Sequence, residues 1–159
     1  MDFYQQFKPY TEEELKDLEM NLGVTLPGDY RRFLLQCGGG QPANTVFQQR
    51  DKQGKLVRAI LVNVFLGNSP VSGADLFSRH AVLSDRIPSD CLPIASNGGS
   101  DYLCLGIKGN NYGKVFMWWK DGEADIGAKP THKNIEFIAD SFDEIASNLK
   151  PEEAFDEIE

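Results

Sequence analysis

Leu15, Leu18 and Leu22 recur three and four residues apart behind the polar stretch Thr11-Glu12-Glu13-Glu14. That spacing predicts an amphipathic helix. Thr11 and Glu14 have the capping-box spacing, in which the hydroxyl takes the third amide of the helix and the glutamate reaches back. Gly23 supplies the stop. Leu26-Pro27-Gly28-Asp29 restarts the chain into a second helix, with Tyr30, Phe33 and Leu34 on one face and Gly38-Gly39-Gly40 as its terminator. From Thr45 the pattern changes. Thr45-Val46-Phe47 reads as a strand start and Asp51-Lys52-Gln53-Gly54 as a turn. Leu56 to Leu66 is apolar and β-branched, and its centre, Ile60-Leu61-Val62, does not alternate, which predicts a strand covered on both faces. Gly67-Asn68-Ser69-Pro70 ends it, and Asp75 to Arg86 reads as a helix carrying Leu76, His80 and Leu83.

Three further strands are predicted at Leu92 to Ala95, Tyr102 to Ile107 and Lys114 to Lys120. They are joined by Asn97 to Asp101 and Lys108 to Gly113, both rich in residues that tolerate positive φ. Asn134 to Ala139 is another strand. Ser141-Phe142-Asp143-Glu144 is a second capping box, opening a helix with Ile145 and Leu149, and Pro151 either interrupts that helix or starts a final turn. Helices, a block of strands and a closing helix give an α+β fold with a mostly antiparallel sheet flanked by N-terminal and C-terminal helices. Residues 1–150 are expected to form one domain, and 151–159 an acidic tail of that domain carrying Phe155 and Ile158.

Composition narrows the function classes. The net charge is −8, from 24 acidic against 16 basic residues. Nucleic-acid binding needs cations to displace counterions, so that partner is not expected. Anionic membrane surfaces are disfavoured on the same ground, and the longest apolar stretch, Ala59 to Leu66, is too short to span a bilayer. A basic protein partner fits the charge. Three widely spaced cysteines, Cys37, Cys91 and Cys104, and a start without a signal-peptide pattern read as a cytoplasmic protein with free thiols.

No catalytic motif emerges. Asn97-Gly98-Gly99-Ser100-Asp101 has no lysine and leads into strand-like Tyr102-Leu103-Cys104-Leu105, so it is not a Walker loop. Gly113-Lys114 is followed by Val115, where such a loop needs serine or threonine. His80 and His132 sit in no H-E-x-x-H pattern, and no cysteine lies at ligand spacing from either, so neither metal nor cofactor is expected. His80 falls on the apolar side of its helix and reads as a packed histidine, and Cys37 as a small buried hydrophobe. Asp140 and Asp143 suit a helix start. Trp118 and Trp119, adjacent in a strand, point to opposite faces, so one ring is expected in the core and the other at the surface.

Four blocks share a further pattern. "TEEELKDLEMNLGVTLPGDYRRFLLQCGGGQP" carries Leu15 and Glu19, Leu26-Pro27, Asp29-Tyr30, Phe33-Leu34 and Gly38-Gly39. "LPIASNGGSDYLCLGI", "KVFMWWKDGE" and "FIADSFDEIASNL" follow. In this order, over nearly the whole chain, they resemble the SUKH superfamily, named partly for the yeast Smi/Knr cell-wall regulator. The resemblance implies an α+β fold and a binding function without catalysis. Bacterial members are similar to immunity proteins that neutralise a cognate polymorphic toxin, often a nuclease; eukaryotic members resemble regulatory interaction modules. On the family's arrangement, Asp29, Asn97, Ser100, Asp101, Trp118 and Trp119 are the expected partner-binding residues, around one cleft. The alternative for the turn is purely structural, with Asp101 bonding its own loop and both tryptophans inside.

Overall fold

In the computed structural model, which describes residues 1–157, the chain runs β1 (Phe3–Gln6), α1 (Glu12–Leu22), α2 (Gly28–Gln36), β2 (Gly40–Pro42), β3 (Val46–Arg50), β4 (Leu56–Leu61), β5 (Val64–Phe65), α3 (Leu76–Leu83), β6 (Cys91–Ser96), β7 (Tyr102–Gly106), β8 (Val115–Trp118), β9 (Ile135–Ala139), α4 (Phe142–Ala146) and β10 (Leu149–Lys150). A short 3-10 helix over Glu152–Glu157 closes it. Ile158 lies outside the described residues. Seven strands form an antiparallel sheet in the order β1-β2-β5-β6-β7-β8-β9, and a second antiparallel sheet has the order β10-β3-β4. The expected α+β architecture, mostly antiparallel with helices before and after, is the one observed.

The start of α1 follows its sequence closely. Thr11 Oγ1 accepts the Glu14 amide at 3.1 Å, Glu14 Oε1 accepts the Thr11 amide at 3.0 Å, and Gly23 turns left-handed at φ 69°. At α4 only half of the expected box forms. Ser141 Oγ accepts the Glu144 amide at 3.1 Å, while the Glu144 carboxylate reaches the Asp140 amide at 3.3 Å instead of that of Ser141. Thr11→Ala and Ser141→Ala are each expected to cost about 1 kcal/mol, since each exposed cap serves only its helix end. Thermal melts measure this, and affinity for any partner should not move with them.

Two boundaries differ from the sequence pattern. The apolar run Leu56 to Leu66 is two strands: β4 ends at Leu61, the chain bends through Val62 and Asn63, and β5 enters the other sheet. The unalternating centre marks this crossing, where Ile60 and Val62 are both buried. The last helix stops at Ala146. Leu149 belongs to β10, which pairs with β3 through Leu149↔Phe47 and Lys150↔Val46.

The core lies where the helices meet the large sheet. Phe33 of α2, Phe65 of β5 and Phe142 of α4 pack in a ring, with centroids 5.3 Å (Phe33–Phe65), 4.8 Å (Phe33–Phe142) and 5.8 Å (Phe65–Phe142) apart. Tyr30 joins them, 5.0 Å from Phe142. Offset and edge contacts of this kind stabilise beyond the area they bury. Cys91 to Ala95, Tyr102 to Gly106 and Val115 to Trp118 are buried along their whole length, so β6 to β8 are covered on both faces. In the tail, Ala154 is buried and its carbonyl accepts the Gln48 side-chain amide at 3.2 Å. No helix among the described residues is long and apolar enough to cross a membrane.

Candidate functional site

The turn Asn97 to Asp101 joins β6 to β7, and the pairing Tyr102↔Trp118 brings the end of β8 beside it. Its polar groups are occupied by one another. Gly98 N donates to Ser96 Oγ (3.1 Å), Gly99 N to Asn97 Oδ1 (3.0 Å) and Asn97 Nδ2 to Asp101 Oδ2 (3.1 Å). The second Asp101 oxygen accepts the Lys120 amide at 2.9 Å, which ties this turn to the one after β8. Gly98 has φ 86°, which explains a glycine there. The Gly98 and Gly99 amides, which a phosphate cradle would use, are therefore spent on the turn. Ser100 alone points its full side chain outward; Asn97 and Asp101 are half-buried.

The tryptophans divide less evenly than strand alternation predicts. Trp118 is fully enclosed, with the Arg86 guanidinium 5.4 Å above its ring, so it contributes packing and no contact surface. Trp119 follows the end of β8, is half-buried against the core, and has its indole N–H covered by protein. It lies beside Asp101 through the Lys120 bond. Asp29 does not join this group. Its Oδ2 accepts the Asp143 amide at 3.0 Å, fastening α2 to the start of α4, next to the Arg32–Asp143 ion pair. The register of β8 on β9 runs from Trp118↔Ile135 at the turn end to Val115↔Ala139 at the α4 end. Asp101 thus belongs to the turn end of these strands, whereas the Asp29 contact belongs to the start of α4, which follows the other end of β9.

The structure adds residues that the pattern did not single out. After Trp119 the chain makes an excursion over 120–133, closed at its base by Trp119 N donating to Asn134 O (3.0 Å) and Asn134 Nδ2 to Trp119 O (2.8 Å). Arg86, just beyond α3, fixes it by a two-pronged bond to Glu123 at 2.9 and 3.2 Å. That contact lowers the Glu123 carboxyl below its ordinary range. Between them lies a cleft of about 160 Å³ lined by Asp85, Arg86, Ala124, Ile126 and Pro130. Ile126 stands fully in solvent between exposed Asp125 and Gly127, and Asp121 is exposed nearby in sequence. On α3, Phe77 (50%) and Val82 (54%) are exposed as well. Ile126 and the carboxylates of Asp85 and Asp125 share the rim of this cleft, so one exposed apolar side chain stands there among acidic neighbours. One signal was available in the sequence: α3 carries Leu76 and Leu83 for the core and also Phe77 and Val82, more apolar residues than one buried stripe uses.

The titratable groups are set against nucleophilic chemistry. Burial raises the thiols of Cys37 and Cys104, and burial followed by the charge of Asp90 pushes the Cys91 thiol up to about 12. Reactive thiols have the opposite shift. His80 lines a cavity of about 170 Å³ with Leu83, Ile87, Cys91, Pro93 and Ile107, and burial, then Lys108, lowers its pKa. Its side chain is half-buried on the wall of that cavity, on the inner side of α3 as its helical position predicts. His132, in the excursion, has Nε2 2.9 Å from both oxygens of Asp90, next to Cys91. No cysteine shares ligand spacing with a histidine along the chain, but the fold places one there.

The comparisons agree with this architecture. The model of the SMI1 / KNR4 family (SUKH-1) matches residues 9–148. A Bacillus subtilis (strain 168) protein, the SPbeta prophage-derived uncharacterized protein YokK, is 31% identical over 160 residues, an alignment covering 89% of this chain and 76% of the relative.

Proposed function

The chain belongs to the SMI1 / KNR4 family (SUKH-1), and from that premise we propose that it is an immunity protein: a stoichiometric, non-catalytic inhibitor of a cognate protein toxin of the nuclease type. Family membership over residues 9–148 carries the reading. The prophage origin of its Bacillus subtilis relative supports it, since mobile elements are a natural home for toxin and antidote pairs. The surface around Ile126 gives it a physical form. Exposed Ile126, Phe77 and Val82 offer apolar anchors, while Asp85, Asp121 and Asp125 meet the basic groove of a protein that handles nucleic acid. With a net charge of −8, association is steered and should approach ~10⁸ M⁻¹s⁻¹ at low salt and slow steeply as salt is added. In this reading Asp29, which braces the start of α4, and enclosed Trp118 lie outside the contact. Asn97, Ser100, Asp101 and Trp119 stay at its edge.

The test is co-expression. The gene beside this one is induced alone and together with it, and the two products are purified from the same cells. Growth arrest by the neighbour, relieved by this protein and accompanied by a one-to-one complex, is the expected result. A neighbour that is harmless, or equally toxic in both cases, refutes the assignment for that pair. A second reading is a regulatory interaction module in the cell, favoured by Phe155, exposed on the tail. Loss of a complex on Phe155→Ser, with no toxin involved, would select it.

A further inference from the structure

We propose that Asp90, Cys91 and His132 form a binding site for a thiophilic divalent ion, zinc foremost. Three donors of different chemistry meet there from two segments of the fold. One carboxylate oxygen of Asp90, Sγ of Cys91 and a ring nitrogen of His132 all lie within 4.8 Å of one another. In a tetrahedral zinc site the bond lengths of about 2.0–2.3 Å put such donors roughly 3.4–3.6 Å apart. The adjustment required is therefore small, and it falls on the side chain free to make it: His132 is more than half exposed. The other two donors are held in place. Cys91 N donates to Pro88 O at 3.0 Å, and Ile107 N donates to Asp90 O at 2.9 Å, so the turn before β6 is pinned to the end of β7.

The charges close as well. A carboxylate, a thiolate and a neutral imidazole carry two negative charges against the two positive charges of the ion, which leaves a neutral site beside a buried strand. The ion takes the place between imidazole and carboxylate now spanned by the 2.9 Å contact, and the Cys91 thiol releases its proton to solvent as the sulfur–metal bond forms. Sulfur and nitrogen donors select zinc and its neighbours over calcium and magnesium, which prefer oxygen. Three protein ligands leave one position for water or for a donor from a bound partner. The ion would cross-link the base of β6 to the excursion that carries Ile126, thereby holding the candidate contact surface. A local motif would not reveal the site, because the histidine is far along the chain from Asp90 and Cys91.

Cobalt(II) is the probe. The purified full chain, reduced and freed of metal with a chelator, is titrated with cobalt chloride and followed by absorption. The expected result is one equivalent bound with a thiolate-to-cobalt charge-transfer band, displaced by zinc and unaffected by calcium or magnesium. Cys91→Ser should abolish the band, and Cys104→Ala should leave it. His132→Ala sits on the exposed excursion and keeps the test decisive if Cys91→Ser fails to fold. It should weaken cobalt binding by more than the roughly 10–100-fold that loss of a supporting partner costs. Zinc should raise the melting temperature of the parent and not that of His132→Ala. The proposal is overturned if no charge-transfer band appears, if the band survives in folded Cys91→Ser, if it depends on Cys104, or if His132→Ala binds cobalt like the parent. None of these outcomes depends on a toxin.

Discussion

Gly38→Ala is expected to lose more than about 3 kcal/mol of stability, whereas Gly23→Ala loses about 1 kcal/mol, the ordinary cost of a left-handed alanine. Both glycines have φ 69°, so the backbone strain of the two substitutions is the same. Their surroundings differ. A Cβ at Gly23 would meet nothing within 4 Å. A Cβ at Gly38 would overlap the carbonyl of Lys8 and the nitrogen of Pro9, which are backbone atoms with no rotamer to yield. The segment they belong to is tied down on both sides, by Phe7 N donating to Gly39 O at 2.9 Å and Tyr10 N to Leu34 O at 3.0 Å. Making room breaks these bonds. Gly67 tests the same node from the opposite side, because its Cβ would strike the Gly38 carbonyl that accepts the Asn68 amide. At roughly 2–4 °C per kcal/mol for a domain of this size, Gly23→Ala should melt a few degrees low. Gly38→Ala and Gly67→Ala should melt ~10 °C low or more, or fail to fold. Equal melting points for Gly38→Ala and Gly23→Ala would contradict the close-packing account.

That node also shows what a sequence can and cannot disclose. The glycine triplet reads as the end of a helix, and it is one, since α2 stops at Gln36. Nothing local says that Lys8 and Gly67 will press against it. The helices themselves are legible because caps and stripes are local: Thr11, Gly23, Asp75 and Ser141 mark their ends where the chain places them. β6 to β8 are legible because glycine and asparagine turns separate apolar runs. β1, β2 and β10 are not. Phe3–Gln6 is mostly exposed because it is an edge strand and so shows no apolar alternation, and Gly40–Pro42 and Leu149–Lys150 are too short to show any. The site divides in the same way. The turn at Asn97 to Asp101 and its neighbour Trp119 come together as the four-block order implies, since consecutive hairpins place them at one end of the sheet. Asp29 sits instead against the start of α4, because its block is defined by α2, whose position over the sheet is set by aromatic packing and not by proximity in the pattern. Ile126 and His132 lie in an excursion with no periodicity, so only the closed loop reveals what they face.

The partner surface yields the second prediction with a large effect, and it rests on the immunity reading. Ile126→Ser should weaken the complex with the cognate toxin by about 2 kcal/mol or more, roughly thirtyfold in Kd. The loss should appear mainly in dissociation, because removal of a buried anchor shortens the life of the complex rather than its rate of formation. Asp125→Lys should act on the other arm. It reverses one charge of an acidic rim, so it slows association at low salt and converges toward the parent as salt screens the encounter. Both residues are exposed and neither caps nor packs an element, so both variants should melt like the parent. Tyr4, 83% exposed on β1 and on another part of the molecule, supplies the control: Tyr4→Ser should bind like the parent. Trp119→Ala sits between these cases, since the half-buried ring serves the core as well as the edge of the surface. It should lower the melting temperature and weaken binding together. Titration and association kinetics at two salt concentrations distinguish these outcomes. If Ile126→Ser and Asp125→Lys both bind like the parent while Tyr4→Ser weakens the complex, the toxin docks at the β1 edge of the large sheet and the excursion serves another purpose.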